Sequence, residues 1–201
     1  MKPMIEGNLR EIQQEVQRRL RGAEQQGNLI PLEPHKRQLA EGMVAKTYGW
    51  GISVVGYPEQ KAEVFVMRDR KRIIVKADDQ EVRIKGRKSG PDVLVEGENN
   101  SLKGGGKRKV LGFGNLKSVS GSGGIEIRVF GDAEEVHARG EGTSLEVTGS
   151  VAEAYVVYNA KVTLDGSTQI ARAYVGGTID DYGEVGKMRE AENGKVRIFR
   201  Q

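Results

Sequence analysis

The sequence predicts a mainly β fold: a single-stranded β-solenoid, or β-helix, of ~17-residue coils preceded by an amino-terminal α-helical segment. Three observations carry this. Glycines recur at Gly97, Gly114, Gly131, Gly149, Gly166 and Gly183, with gaps of 17, 17, 18, 17 and 17 residues. Aliphatic residues keep the same register: Val93, Val110, Ile127, Leu145, Val162 and Ile179 stand four before each glycine, and Val196 adds a further member. Val95, Val129, Val147 and Leu164 stand two before it, with Ile198 in the next rung, and Leu102, Val119, Val136, Ala154, Ala171 and Met188 stand five after it. Within each unit the apolar residues alternate, as in Ile127-Arg128-Val129, which is the strand period because successive side chains point to opposite faces. An antiparallel sandwich also shows regular turn signals, but its strands seldom hold matching columns over a fixed register.

Composition agrees with a thin solenoid. A hydrophobic share of 37%, a charged share of 30% and 28 glycines suit a narrow core, a large polar outside and many corners. Disorder would explain the same percentages but not aliphatics placed in columns. The chain has no cysteine, so disulfides and thiolate metal sites are excluded. No signal peptide is expected from the amino-terminal residues, and no apolar run approaches the length of a membrane span. Residues 51–110 hold 14 basic and 9 acidic side chains, and residues 111–201 hold 10 and 13. The asymmetry is modest and the signs are interleaved, so it reads as a solvated surface; specific nucleic-acid binding is not expected.

Two regions follow: residues 1–50, a helical anchor or cap with a linker, and residues 51–201, the solenoid. Over residues 4–26, Ile5, Leu9, Ile12, Val16, Leu20 and Ala23 form one apolar stripe at helical spacing, bounded by Pro3 and Gly27-Asn28. The stripe could seam a short coiled coil or lie against its own solenoid. Residues 28–34 are an extended linker set by two prolines, and Pro34 opens a second expected helix through Ala45, weakened by Gly42. Trp50 sits in the cluster from Tyr48 to Tyr57, a core anchor or a docking residue. If Ala77 takes the glycine's corner place, Ile73, Val75 and Val82 join the columns, and the solenoid starts near residue 62. Seven or eight coils then make a rod about 35 Å long.

The columns also predict outward positions. These hold Leu94, Leu111, Phe113 and Phe130 at one end and Tyr182 with Phe199 at the other, with Glu146, Thr148, Thr163 and Asp165 between. Clustered outward apolar residues mark a contact, either with the amino-terminal helix or with another molecule. The last coil, containing Ile198 and Phe199, exposes a strand edge on which a second chain can dock.

Chemistry is thin. His35 and His137 have neither cysteine nor paired carboxylates at ligand spacing. No serine lies in a nucleophile-elbow context, and the stretch from Ser101 to Lys109 lacks the phosphate-loop pattern. Asp78-Asp79 and Asp180-Asp181 are adjacent on strands and point oppositely, which disfavours a shared cation site. No catalytic residue, cofactor or metal is therefore expected.

The segment Leu145-Glu-Val-Thr-Gly-Ser-Val151, echoed by Val162-Thr-Leu-Asp-Gly166, resembles a coil of the bactofilins. The resemblance is to a coil pattern, and it implies nucleotide-free β-helices stacked end to end as a bacterial cytoskeletal filament. The primary expectation is a non-enzymatic virion component, a phage spike, fibre or capsid-decorating protein, located in the virion or cytoplasm. Its partners would be other structural proteins and further copies of itself, a trimer being favoured. The alternatives are a bactofilin-like scaffold polymer and a carbohydrate-binding or carbohydrate-degrading solenoid. The expected contact residues are Ile5, Leu9, Ile12, Val16, Leu20, Trp50, Leu94, Leu111, Phe113, Phe130, Ile198 and Phe199.

Overall fold

The computed structural model describes residues 25–31, 35–40, 43–48, 51–56, 62–68, 72–85, 90–183 and 185–199, with residues 14, 18, 21 and 22 besides. The expected stripe Ile5, Leu9, Ile12, Val16 and Leu20 lies outside the described residues, as does Trp50. Five strands come first: β1 (Leu29–Pro31), β2 (His35–Ala40), β3 (Met43–Tyr48), β4 (Ile52–Gly56) and β5 (Glu63–Met67). The coils then alternate between two sheets. One receives β6 (Arg72–Lys76), β8 (Asp92–Glu96), β10 (Lys109–Phe113), β12 (Glu126–Phe130), β14 (Ser144–Val147), β16 (Lys161–Leu164), β18 (Thr178–Asp181) and β20 (Lys195–Ile198). The other receives β7 (Glu81–Ile84), β9 (Asn100–Gly105), β11 (Leu116–Ser122), β13 (Ala133–Arg139), β15 (Val151–Val157), β17 (Thr168–Tyr174) and β19 (Val185–Glu192). All these strands pair in parallel with their equivalents one coil away, giving about seven turns of a β-solenoid.

The register reproduces the sequence columns. Ile73, Val93, Val110, Ile127, Leu145, Val162, Ile179 and Val196 are successive partners in the first sheet. Val82, Leu102, Val119, Val136, Ala154 and Ala171 are successive partners in the second. The two columns meet in one continuous apolar interior. Small Ala154, Ala171 and Ala173 fill the second sheet in the coils where the first carries Leu145 and Leu164, so volume is shared across the core. One column slips: Ala171 pairs with Arg189, and Met188 pairs with Ile170. A register irregularity between Thr168 and Ile170 moves the expected partner by one residue.

The recurring glycines are explained by contact between coils. A Cβ on Gly114, Gly131, Gly149, Gly166 or Gly183 would overlap the carbonyl oxygen of the equivalent glycine one coil below, and one on Gly97 would overlap the carbonyl of Ala77. Ala77 thus does occupy the first corner. The next residue along forms a polar ladder. The Asp78 carboxylate accepts from the Glu98 amide (2.8 Å), that of Glu98 from Asn115 (2.9 Å), the side-chain oxygen of Asn115 from Asp132 (3.1 Å), and the carboxylate of Asp132 from Ser150 (2.7 Å). Ser167 donates to the Ser150 hydroxyl at 3.0 Å.

Both sheets continue past the first coil with antiparallel strands. β5 and then β1 extend the first sheet, and β4, β3 and β2 extend the second. The parallel coils therefore start at β6, and residues 63–67 add an antiparallel edge to them instead of a coil. The helix expected over residues 34–45 is absent, since β2 and β3 pair there as antiparallel strands. Gly42, which disfavours a helix, falls between them in sequence, and β4 offers β3 a ladder that a solitary short helix would lack. The helix expected over residues 4–26 falls almost wholly outside the described residues.

Candidate functional site

Each sheet presents an outward face, and residues reach it by alternation along the strands. On the first sheet the outward column Ile74, Leu94, Leu111, Arg128, Glu146, Thr163, Asp180, Arg197 runs coil by coil. Its amino-terminal part is apolar. Ile74, Phe113 and Phe130 are buried in a second cluster, outside the main core, with Leu29, Phe65, Met67, Leu94 and Leu111 partly buried against it. Phe113 and Phe130 stack at 5.1 Å with ring planes 15° apart, and the Arg128 guanidinium lies over Phe130. Phe113 and Phe130 thus point out of the sheet, as the columns require, yet are not open to solvent. Leu29 and Phe65 of the amino-terminal strands help cover them.

Farther along, the same face becomes charged. Arg128 pairs with Glu146 at 2.7 Å. Burial raises the Glu146 carboxyl above the ordinary glutamate range despite the opposing charge of Arg128. Asp180 is buried and is held by Arg197 through two bonds, at 2.6 and 2.9 Å, and by Lys161 at 3.0 Å. Burial alone would raise its pKa, but Arg197 and Lys161 outweigh that and hold it below the ordinary aspartate range. Asp181, its neighbour, points the other way. It sits in the inward column between Leu164 and Ile198, fully buried, and burial raises its pKa although the Gly183 amide donates to it at 2.9 Å. The two carboxylates do not converge on a common ligand position.

At the far end of this face Tyr182 and Phe199 stack at 4.7 Å, 15° between planes, and are 41% and 39% exposed. Val196 and Ile198 of β20 continue the inward columns but are only partly buried, where the residues they pair with, Ile179 and Asp181, are fully buried. β20 and β19 are the outermost strands of their sheets among the described residues.

The second sheet carries an outward column that the sequence reading did not follow: Arg83, Lys103, Ser120, His137, Tyr155, Arg172 and Glu190 are successive partners. The signal was present in the sequence, because these residues recur at the coil period. His137 and Tyr155 rings lie 5.8 Å apart at 47°, and Tyr155 and Tyr174 5.4 Å apart at 44°. Arg172 bonds to Glu153 and stands 3.5 Å from Glu190. Glu81 binds Arg83 and lies 3.4 Å from Lys103, and these cations lower its pKa despite partial burial. A hydrogen bond to Glu190 raises the Tyr174 phenol.

Among the described residues no three His, Cys, Asp or Glu side chains group to hold a metal ion, and no helix is long and apolar enough to cross a membrane. His137 stands 3.5 Å from Glu135 on the second sheet's outer face. The architecture is that of a β-solenoid of stacked 17-residue coils. No family model, curated protein or solved structure matches the chain. The structure bears out the solenoid pattern of the bactofilin likeness, and no family match adds to it.

Proposed function

We propose that this protein is a non-enzymatic structural element, a rigid rod that joins a larger assembly through protein–protein contacts, as a spike, fibre or decorating protein of a virion. The observation that carries the reading is the state of the last coil. Its inward residues Val196 and Ile198 are only partly buried, although every preceding coil buries the equivalent inward positions under a parallel neighbour, and beside them the stacked outward pair of Phe199 and Tyr182 from the coil before is exposed. Another chain placed here would bury that surface and pair the edge of β20 that no described strand covers. Stacked short coils with a continuous apolar interior also make a stiff spacer, since each coil is clamped by two neighbours.

A second reading, a bactofilin-like filament, is favoured by the unbroken register of the first sheet up to β20, which offers a further copy the same ladder that joins the coils. Light scattering on a sizing column separates the two. A discrete oligomer lost in Ile198→Asp and Phe199→Asp supports the particle component. Open-ended polymers lost in the same variants support the filament. A monomer before and after substitution overturns both.

A further inference from the structure

Beyond a structural role, we infer that the outer face of the second sheet binds an extended acidic polysaccharide of the polyuronate type. The face holds a shallow groove of about 360 Å³. Its floor is nearly bare of side chains, being made by Gly105, Gly106, Ser120 and Ser122, and a Cβ on Gly105 would meet nothing nearer than 3.8 Å. Arg83, Lys85 and Lys103 line the groove, with Glu81 the one carboxylate among the described residues that pairs with them. Two cations in excess of that carboxylate give the groove an anionic preference.

The floor does not stop at the groove. Ser120 is followed one coil on by His137, then Tyr155, then Arg172, in a single outward column. The site is therefore a stripe, cationic with a hydroxyl-lined floor at one end and aromatic with mixed charge at the other. A polymer lying along the solenoid axis meets a new side chain about every 4.8 Å, the rise of one coil.

The chemistry of the stripe selects among polyanions. Neighbouring rings stand 5.4 and 5.8 Å apart and tilted by more than 40°, in contact with one another, so no slot remains for a planar base to enter. Glu135, Glu153 and Glu190 flank the same rings, so the anionic preference is confined to the Arg83 and Lys103 end of the stripe. A polyuronate has one carboxylate per sugar and hydroxyls elsewhere. Its carboxylates suit Arg83 and Lys103, its hydroxyls suit the serines and the Glu153–Arg172 pair, and its C–H faces suit Tyr155.

The test is titration calorimetry of the whole chain with polygalacturonate, with dextran as the neutral polymer and polyuridylate as the polyphosphate. Polygalacturonate should bind at least about tenfold more tightly than either control. The double variant Arg83→Glu/Lys103→Glu and the single variant Tyr155→Ala should each weaken it by about tenfold or more. Circular dichroism checks that the variants fold. If Tyr155→Ala does not, Ser122→Glu places a carboxylate on the exposed floor without touching the ring column, and must weaken binding likewise. No binding of polygalacturonate overturns the inference. So does polyuridylate binding of equal strength, or binding that survives both Arg83→Glu/Lys103→Glu and Ser122→Glu.

Discussion

Asp181 is the residue that most departs from the pattern around it. Its column otherwise holds Val95, Gly112, Val129, Val147, Leu164 and Ile198, and among the described residues only Asp181 brings a carboxyl into it. Burial raises its pKa, so the folded state holds the proton more tightly than the unfolded state does. The sign follows from linkage: stability is greatest below the ordinary aspartate value and falls as pH rises through the raised folded value. Asp180 works oppositely, because Arg197 and Lys161 lower its pKa. Its contribution is present above the ordinary value and is lost as pH falls through the folded one. Asp181→Val should therefore stabilise the fold by about 1–3 kcal/mol at neutral pH, with the gap from the parent closing below the ordinary aspartate range. Chemical denaturation at several pH values measures this, and an unchanged gap across that range would show that the fold leaves the Asp181 pKa at its unfolded value. The spacing of the columns locates Asp181 in the sequence. That both neighbouring carboxyls are buried, one bridged by Arg197 and Lys161 and the other bonded to the Gly183 amide, depends on which groups the adjacent coils bring.

At the scale of the element, the corner decides how coils stack. The sequence shows glycine at a fixed interval, which by itself suggests turns with unusual backbone angles. That explanation fits Gly114, with φ of 111°, but Gly149 and Gly166 are not among the residues with positive φ. What the glycines share is the carbonyl of the coil below, which leaves no room for a Cβ. Gly149→Ala should accordingly push β14 and β15 away from β12 and β13 and cost about 2–4 kcal/mol, read as a fall in the thermal midpoint. A loss under about 0.5 kcal/mol, the range of ordinary surface substitutions, would mean that the corner yields freely. The residues after the glycines, Asn115 and Asp132 among them, read in the sequence as turn formers. In the fold they are rungs, each accepting from the backbone amide of the next coil, a pairing invisible until the coils are stacked. The hairpin over residues 35–48 was missed for a related reason: its strands depend on pairing with β4, which in turn pairs with β7, some thirty positions on.

For the molecule as a whole, each coil touches mainly its two neighbours, so stability is distributed along an axis instead of around a centre. Amide exchange should be slowest in β10 to β15, which have coils on both sides, and faster toward β2, β3, β19 and β20 at the ends of the sheets. Hydrogen-exchange mass spectrometry resolves this gradient, and equal protection along the chain would indicate all-or-none unfolding. By itself the sequence determined the β-solenoid, the coil length, the inward columns from Ile73 to Ile179 and the first corner at Ala77. A repeat writes such features into every unit, because equivalent positions meet equivalent neighbours. Only the tertiary structure decided the antiparallel continuation at the amino end, the one-residue slip at Met188 and the burial of Phe113 and Phe130. Each of these arises where one unit meets something unlike itself, and a periodic pattern carries no record of such contacts.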